Sequence, residues 1–199
     1  MRFSTKELLD FSIAWVVLGV AFGILLAGGP RALLAGGAVL LPFGIGFATA
    51  GVGFLLHELA HKVVAVRFGQ VAEFRADYNM LVLTLLSAMA GFLVAAPGAV
   101  HHRGRVSLRE RGLIALAGPV TNLALVVPFA ALLLAPGELV RFVGRTGLLI
   151  NALLAAFNMA PYGPLDGRTV VQWNKAVFVA VFVPSLALAL FVFVGPLIG

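Results

Sequence analysis

The chain has 199 residues, of which 61% are hydrophobic and 11% are charged. Soluble domains carry roughly 25% charged residues, so this composition excludes an ordinary soluble domain and indicates a membrane protein. The net charge of +6 fits membrane orientation by Lys and Arg better than nucleic-acid binding, because no basic helix with interleaved aromatic residues is present. The chain has no cysteine, which excludes disulfides and leaves His, Asp and Glu as ligands for any metal.

The N-terminal segment predicts a membrane-spanning helix that is retained. Ser4 and Glu7 fit a capping box, which starts a helix just before an apolar run. A cleaved signal peptide is the competing interpretation, but the acidic Glu7 and Asp10 of the leading segment argue against it. We therefore predict a flanking helix over about 8–27, ended by the glycines and the proline that follow it.

The second predicted span, over about 43–66, carries a His-Glu-x-x-His pattern in its latter half. His57 and His61 are four residues apart, so on a helix both imidazoles share one face and can reach one metal. Glu58 lies beside them as a carboxylate that is not a ligand. Zinc hydrolases use this arrangement, in which the two His bind zinc and the Glu acts as general base.

The setting of this pattern makes it informative, since the pattern alone occurs by chance in many chains. The residues before it, 43–56, contain no ionisable side chain, and ionisable groups at such depth in a membrane indicate a functional site. The alternative is that the two His are packing residues and that Glu58 pairs with Lys62 four residues later. We favour the metal site.

The region after this helix predicts a small β-hairpin or re-entrant insert before the following core helix. Residues 71–78 mix polar and apolar side chains, which fits a short strand or loop. Residues 80–96 are apolar and are candidates for a further span. Residues 100–106 enclose the turn signal Arg103-Gly104 and predict a hairpin.

Two adjacent histidines in the predicted hairpin, His101 and His102, are candidate extra ligands. Neighbouring residues on a strand point to opposite faces, and Arg103 and Arg105 flank the pair. We therefore predict that these histidines form an exposed tip and do not bind the metal.

Three further apolar helices are predicted over about 112–135, 147–159 and 176–198, with Pro184 as a kink in the last. Between the last two lies a segment rich in proline and glycine, which unwinds the helix end. Irregular backbone at membrane depth is tolerated only where it is buried in protein or lines a watery cavity. Asp166 lies in this segment.

A catalytic zinc site usually has three protein ligands and one open position, so His57 and His61 need a third partner. With the first apolar run taken as 11–27, Asp166 and Glu58 are the acidic residues within or directly at the end of an apolar span. The alternative is a polar loop in which Asp166 pairs with Arg168. We favour Asp166 as the third ligand of a single zinc ion.

Two motifs are paired in this chain: His-Glu-x-x-His at 57–61 and Asn-x-x-Pro-x-x-Pro-Leu-Asp-Gly at 158–167. In this order they resemble the site-2 protease family of intramembrane zinc metalloproteases. The Gly-Pro-x-x-Asn pattern at 118–122 is also similar to an element of that family's core. The paired motifs are far more specific than either motif alone.

The resemblance implies a zinc held by His57, His61 and Asp166, with Glu58 as a catalytic residue. It also implies cleavage of substrate helices within or near the bilayer, often releasing membrane-tethered regulators. The expected partners are single-span membrane protein substrates and the lipid bilayer, without nucleic acid. A substrate helix must unwind before attack, and a free strand edge at 97–106 is where we expect the unwound segment to pair.

Two asparagines are assigned separately. Asn158 is our candidate donor to the oxyanion, because it lies at the unwound end of the helix that leads to Asp166. Its alternative role is to cap the broken helix end. Asn122 lies in the middle of an apolar run and is predicted to make an interhelical hydrogen bond.

The predicted fold is an all-α polytopic membrane protein with five to six transmembrane helices, forming one membrane-embedded domain with its core at about 43–168. A crossing by 80–96 would make the ligand-bearing helices antiparallel and leave the ligands at different depths. If 80–96 is re-entrant, eleven Lys and Arg lie on the side of the N-terminus and three on the opposite side. If 80–96 crosses, seven lie on each side. The positive-inside rule therefore favours five crossings and a cytoplasmic N-terminus in a prokaryotic cell membrane.

Two other classes of function compete with the protease. A polytopic ion or proton transporter would also place Asp, Glu and His within the membrane. Against it, the polar residues gather at one depth and no inverted repeat is evident. A non-catalytic membrane protein with a metal site is the third class, but metal binding alone does not need Glu58.

Overall fold

The computed structural model describes residues 1–34, 39–95 and 97–194. Within these ranges the chain is mostly helical, with a small antiparallel sheet of two strands. The helices are α1 (Thr5–Leu26), α2 (Pro30–Leu34), α3 (Leu40–Gly46), α4 (Val52–Arg67), α5 (Tyr78–Met89), α6 (Leu108–Leu132), α7 (Glu138–Asn158), α8 (Asp166–Trp173) and α9 (Lys175–Val194), with a π-helical turn at Phe47–Gly51 between α3 and α4. The strands are β1 (Val71–Ala76) and β2 (Gly98–Arg103).

Five helices in the described part of the chain are long and apolar enough to cross a membrane. They are Thr5–Leu26 (α1), Leu40–Arg67 (α3, the π-helical turn and α4 as one continuous helix), Leu108–Leu132 (α6), Glu138–Asn158 (α7) and Lys175–Val194 (α9). Residues 80–89 of the apolar stretch 80–96 lie in α5, which has 12 residues. At 1.5 Å per residue α5 is about 18 Å long, too short for a hydrocarbon core about 30 Å thick. The all-α polytopic prediction of five to six helices is therefore confirmed by five helices of spanning length, while the number of crossings and re-entry of 80–96 into a membrane stay predictions.

The predicted hairpin at 100–106 is wrong. β2 is one continuous strand that ends at the turn, and its partner is β1. The Asp77 N–H donates to the Pro97 carbonyl at 3.0 Å, which extends this pairing. Gly98 permits the close approach, since a Cβ there would lie 2.3 Å from the Arg75 carbonyl oxygen. The partner strand β1 therefore ends 22 residues before β2 begins, whereas the sequence pattern predicted pairing across a local turn.

Other predicted helix boundaries also differ; for example, the helix predicted at 112–135 spans Leu108–Leu132. The helix predicted at 147–159 begins earlier, at Glu138. Its first turns contain Arg141 and Arg145, which interrupt the apolar run in the sequence but continue the helix with partly exposed side chains. The final helix ends at Val194, and the rest of the predicted 176–198 lies outside the described residues.

One of two compact units in the chain comprises residues 1–55 and 73–101. Its core includes Phe74, which stacks on Phe11 with ring centroids 4.3 Å apart and meets Phe54 edge-on at 5.7 Å. The Ser4 hydroxyl caps α1 by accepting from the Glu7 N–H, as predicted. The Glu7 carboxylate accepts from the buried Phe74 N–H, so it ties α1 to β1. Glu7 thus serves tertiary packing, beyond its predicted place in a capping box.

Asp10 and Glu7 also correct the sequence interpretation of acidic residues. Both carboxylates are buried within the first spanning helix, so Glu58 and Asp166 are not the only acidic residues at a span. The Tyr78 hydroxyl donates to Asp10 Oδ1 at 2.6 Å, and Arg75 lies 3.9 Å from the other carboxylate oxygen. These contacts give the buried Asp10 polar partners from β1 and α5.

The second unit comprises residues 56–72 and 102 onward. Within it α6 packs on α7 and α8, and α7 packs on α9. Small residues line the α7–α9 contact, where Ala152 and Ala189 are buried together, which lets the two backbones approach closely. Met159 and Val170 form a second buried cluster. The prediction of one single domain stays a prediction.

Candidate metal centre

The two imidazoles of the His-Glu-x-x-His pattern lie one turn apart on α4, as predicted. Their Nε2 atoms are 3.0 Å apart, and the rings meet nearly edge to face. His57 and His61 are 4% and 7% exposed. Their helical spacing therefore points two ring nitrogens at one buried position.

Asp166, at the start of α8, brings a carboxylate to the same position. Its Oδ2 lies 3.3 Å from the Nε2 atom of each imidazole. The ligand atoms of His57, His61 and Asp166 all lie within 4.8 Å of one another. The structure thus brings together the three predicted ligands. The neighbouring Arg168 donates instead to the Gly163 carbonyl at 3.3 Å, which argues against the alternative pair with Asp166.

Gly167 lets α8 begin directly against the end of α7. A Cβ at Gly167 would lie 1.9 Å from the Met159 carbonyl oxygen, so no side chain fits there. Asp166 is the first residue of α8, where a carboxylate also suits the helix dipole. Burial alone would raise the pKa of the Asp166 carboxyl, but the positive charge of the imidazoles when protonated, together with their hydrogen bonds, lowers it to about 2. The carboxylate is the form of Asp166 that can bind a metal.

Gly118 provides the space opposite the imidazoles. A Cβ at this position would lie 2.4 Å from His61 Nε2 and 2.5 Å from His57 Nε2. Backbone of α6 therefore approaches the ligand nitrogens at a distance that only glycine permits. This contact gives a physical reason for the glycine in the Gly-Pro-x-x-Asn pattern.

The Nδ1 atoms of both imidazoles have partners on α6. His61 Nδ1 lies 2.7 Å from the Ile114 carbonyl oxygen, and His57 Nδ1 lies 2.6 Å from Asn122 Oδ1. Acceptors at Nδ1 hold the proton there and leave the Nε2 lone pairs for a metal. Asn122 also donates to Asn151 Oδ1 on α7 at 2.9 Å. The predicted interhelical role of Asn122 is confirmed.

Sequence reasoning missed Asn151, which is fully buried in α7. The signal was present, because a polar amide in the middle of an apolar span is itself a mark of function. The predicted helix at 147–159 did contain this residue. What the sequence did not show is the hydrogen bond with Asn122, which connects Asn151 to the candidate metal centre.

The two predicted catalytic residues stay predictions. Glu58 lies on α4 and is 7% exposed, so the carboxylate adjoining the first imidazole is buried. Asn158 is the last residue of α7, and its side-chain amide donates to the Leu154 carbonyl at 2.9 Å. That bond corresponds to the alternative helix-capping role. In β2, His101 is exposed and His102 is half-buried, so the predicted exposure holds for His101 alone, and neither residue lies at a hairpin tip.

The donor set fits a zinc ion. Two imidazole nitrogens and one carboxylate oxygen are the ligand types that zinc takes in hydrolases. Tetrahedral ligands about 2.0–2.1 Å from zinc lie about 3.3–3.4 Å from one another. The two nitrogen–oxygen distances of 3.3 Å match this spacing, and the nitrogen–nitrogen distance of 3.0 Å is only slightly shorter. Three protein ligands leave the fourth position for water or substrate.

A helical membrane protein with two buried histidines and a half-buried aspartate in one group is the class that the fold and this site define. Comparison with known proteins gives the family. The chain is 39% identical to "Putative zinc metalloprotease MJ0611" of Methanocaldococcus jannaschii over 194 residues, which covers 96% of each chain. It is 35% identical over 141 residues to "Putative zinc metalloprotease YwhC" of Bacillus subtilis, covering 61% of this chain and 64% of that protein.

A third relative is much longer. The chain is 34% identical over 149 residues to "Putative zinc metalloprotease Rip3" of Mycobacterium tuberculosis, covering 71% of this chain and 32% of that protein. No family model matches the chain, and no solved structure matches it significantly. The likeness over nearly the full length of the first relative is decisive. This chain belongs to a site-2 protease-type family of zinc metalloproteases.

Proposed function

We propose that the chain is an intramembrane zinc endopeptidase, with one zinc per chain held by His57, His61 and Asp166. The observation that carries this proposal is the convergence of these three side chains on one buried position, with ligand atoms within 4.8 Å. Zinc-protease relatives and five spanning-length helices support it. The substrates are single-span membrane proteins, cleaved within or near the bilayer of a prokaryotic cell, with the N-terminus of this chain cytoplasmic.

Glu58 is the proposed general base and acid. Zinc, when bound, supplies a Lewis acid that makes water nucleophilic at neutral pH. Glu58 takes a proton from the attacking water and passes it to the leaving amine. Its burial at 7% exposure keeps this transfer away from bulk solvent. Asn158 donates to the developing oxyanion. To do so, its side-chain amide gives up the hydrogen bond to the Leu154 carbonyl and donates to the substrate instead.

A strand edge holds the unwound substrate in this proposal. On β1 the Phe74 N–H already donates to Glu7, so that edge is occupied at its centre. β2 is therefore the preferred strand for β-augmentation. Antiparallel pairing alternates inward and outward backbone groups. With the Asp77 N–H donating to the Pro97 carbonyl, this alternation directs the Val100 N–H outward.

Proline at position 100 tests the strand. Val100→Pro removes the outward N–H, and we expect slower cleavage of a single-span substrate with zinc content unchanged. Val100→Thr is the matched control, because it keeps both the N–H and the β-branched shape. Equal cleavage by both variants would sink the strand hypothesis and leave the metal site untouched.

The proposed function is tested by Glu58→Gln. Wild type and variant are purified in detergent, and zinc content and cleavage of a model single-span substrate are measured side by side. We expect one zinc per chain in both proteins and at least a roughly 10²-fold loss of cleavage in the variant. Undiminished cleavage by the variant would remove Glu58 from the mechanism. A folded wild type without zinc would contradict the protease and favour the transporter alternative.

A further inference from the structure

A chain of buried hydrogen bonds connects α7 to the first imidazole. Asn151 Nδ2 donates to the Gly147 carbonyl at 2.8 Å, and Asn122 Nδ2 donates to Asn151 Oδ1 at 2.9 Å. Asn122 Oδ1 then lies 2.6 Å from His57 Nδ1. Both asparagines are 0% exposed, so bulk water cannot replace these partners.

The direction of the chain is fixed at its far end. The Gly147 carbonyl can only accept, so Asn151 must turn its amide nitrogen towards it. Asn151 therefore presents its oxygen to Asn122, which must answer with its own nitrogen. The oxygen of Asn122 is then left facing His57 Nδ1. Each amide orientation follows from the one before it.

The two histidines differ in how their protons are fixed. His61 Nδ1 lies against the Ile114 carbonyl, an acceptor that cannot change sides. His57 depends on the Asn122 amide, whose oxygen and nitrogen ends have nearly the same shape and can exchange by a flip. A flipped amide would offer a donor to Nδ1 and move the imidazole proton to Nε2, where the metal must bind.

We propose that Asn151 is a positioning residue, which locks the orientation of Asn122 and thereby keeps His57 Nε2 free to bind the metal. This inference rests on the proposed zinc site and deepens it. Among the described residues, the hydrogen bonds of Asn151 go to Gly147 and Asn122, so it acts on His57 through Asn122. The three-residue relay does for His57 what one backbone carbonyl does for His61.

The test compares two replacements of Asn151. Asn151→Leu has a similar shape but no polar atom, whereas Asn151→Asp, in the protonated form that burial favours, keeps both a donor for the Gly147 carbonyl and an acceptor for Asn122. Zinc affinity is measured by competition with a chelator, and the site geometry is followed by the absorption spectrum of the Co²⁺-loaded protein. We expect about 10–100-fold weaker zinc binding for Asn151→Leu, with a lower kcat at unchanged KM. Asn151→Asp should restore affinity and spectrum towards those of wild type.

A second comparison separates positioning from simple packing. In an Asn122→Leu background the relay is already cut, so Asn151→Leu should cause no further loss of zinc affinity. Should Asn151→Leu fail to fold, Asn151→Ser takes its place, since its hydroxyl is too short to reach Asn122. We expect the same loss from it.

Three results would overturn the inference. They are wild-type zinc affinity in Asn151→Leu or Asn151→Ser, a loss in Asn151→Asp as large as in Asn151→Leu, and an undiminished effect of Asn151→Leu in the Asn122→Leu background. Each presupposes that wild type binds zinc. A wild type that binds none would instead refute the proposed function, so the two failures are distinguishable.

Discussion

The carboxylate of Glu7 on α1 accepts a hydrogen bond of 2.9 Å from the backbone N–H of Phe74 on β1. The two residues are 0% exposed and are 67 positions apart in the sequence. A buried backbone donor that loses its acceptor costs about 1–3 kcal/mol. Glu7 therefore contributes to the stability of the unit that contains the first spanning helix.

Replacing Glu7 tests this contact. We expect Glu7→Ala to lower the free energy of unfolding by about 1–3 kcal/mol, because the Phe74 N–H loses this acceptor. Glu7→Gln keeps an acceptor oxygen and should lose less. The exposed neighbour Lys6 is the control, and Lys6→Ala should change stability by no more than about 0.5 kcal/mol. Unfolding in detergent measures all three, and equal stability of Glu7→Ala and Lys6→Ala would refute the role of Glu7.

Gly118 predicts a steric effect on the metal centre. In Gly118→Ala the added Cβ would meet the Nε2 atoms of His57 and His61 at 2.5 and 2.4 Å, so the imidazoles must move. A displacement of about 1 Å at a reacting centre costs roughly 10²-fold in rate. We expect a loss of cleavage of this order together with weaker zinc binding.

Gly44→Ala is the matched control for Gly118→Ala. Gly44 is also a helical glycine, and a Cβ there would meet no atom within 4 Å. Zinc content and cleavage should equal those of wild type, with stability unchanged or slightly higher. Wild-type zinc affinity in Gly118→Ala would contradict the close approach of α6 to the imidazoles.

The hydrogen bond between Tyr78 and Asp10 predicts that the stability of the protein depends on pH. Tyr78 lies outside the spanning helices. Its hydroxyl donates to Asp10, and this hydrogen bond, with some burial and the carboxylate charge, raises the pKa of Tyr78 above 10.0. The bond needs the neutral phenol, so its contribution to stability is present below pH 10 and is lost as pH rises through the raised pKa.

Absorbance of tyrosinate measures this shift directly. The chain has two tyrosines, so Tyr162→Phe leaves Tyr78 as the reporter. We expect its midpoint above 10 in the folded protein, and a lower midpoint after Asp10→Leu removes the acceptor. A midpoint of 10 or below in the folded Tyr162→Phe protein would contradict the hydrogen bond.

Much of the fold followed from composition, since apolar runs mark helices in a membrane protein whatever their tertiary contacts. The three predicted ligands also came together, because a spacing of four residues fixes two of them on one helix face. Asp166 could be predicted from the sequence for another reason. The prolines and glycines around it mark the point where the backbone must leave the helix. Local rules of this kind can be read without the structure.

Other features depend on contacts between distant residues. The partner of β2 is β1, across the whole of α5, and no local turn signal encodes that pairing. Glu7 resembled a capping residue, whereas its carboxylate reaches Phe74. Asn151 became meaningful only when Asn122 was seen beside it. In each case the sequence shows a polar group but not its partner.

The central claim is that His57, His61 and Asp166 hold one zinc ion. An X-ray diffraction experiment on crystals of the purified protein, at wavelengths on both sides of the zinc absorption edge, tests it most directly. We predict one anomalous peak per chain within about 2.0–2.2 Å of both Nε2 atoms and an Asp166 carboxylate oxygen. A zinc peak ligated elsewhere, or no peak at this position in crystals of zinc-supplemented protein, would contradict the account.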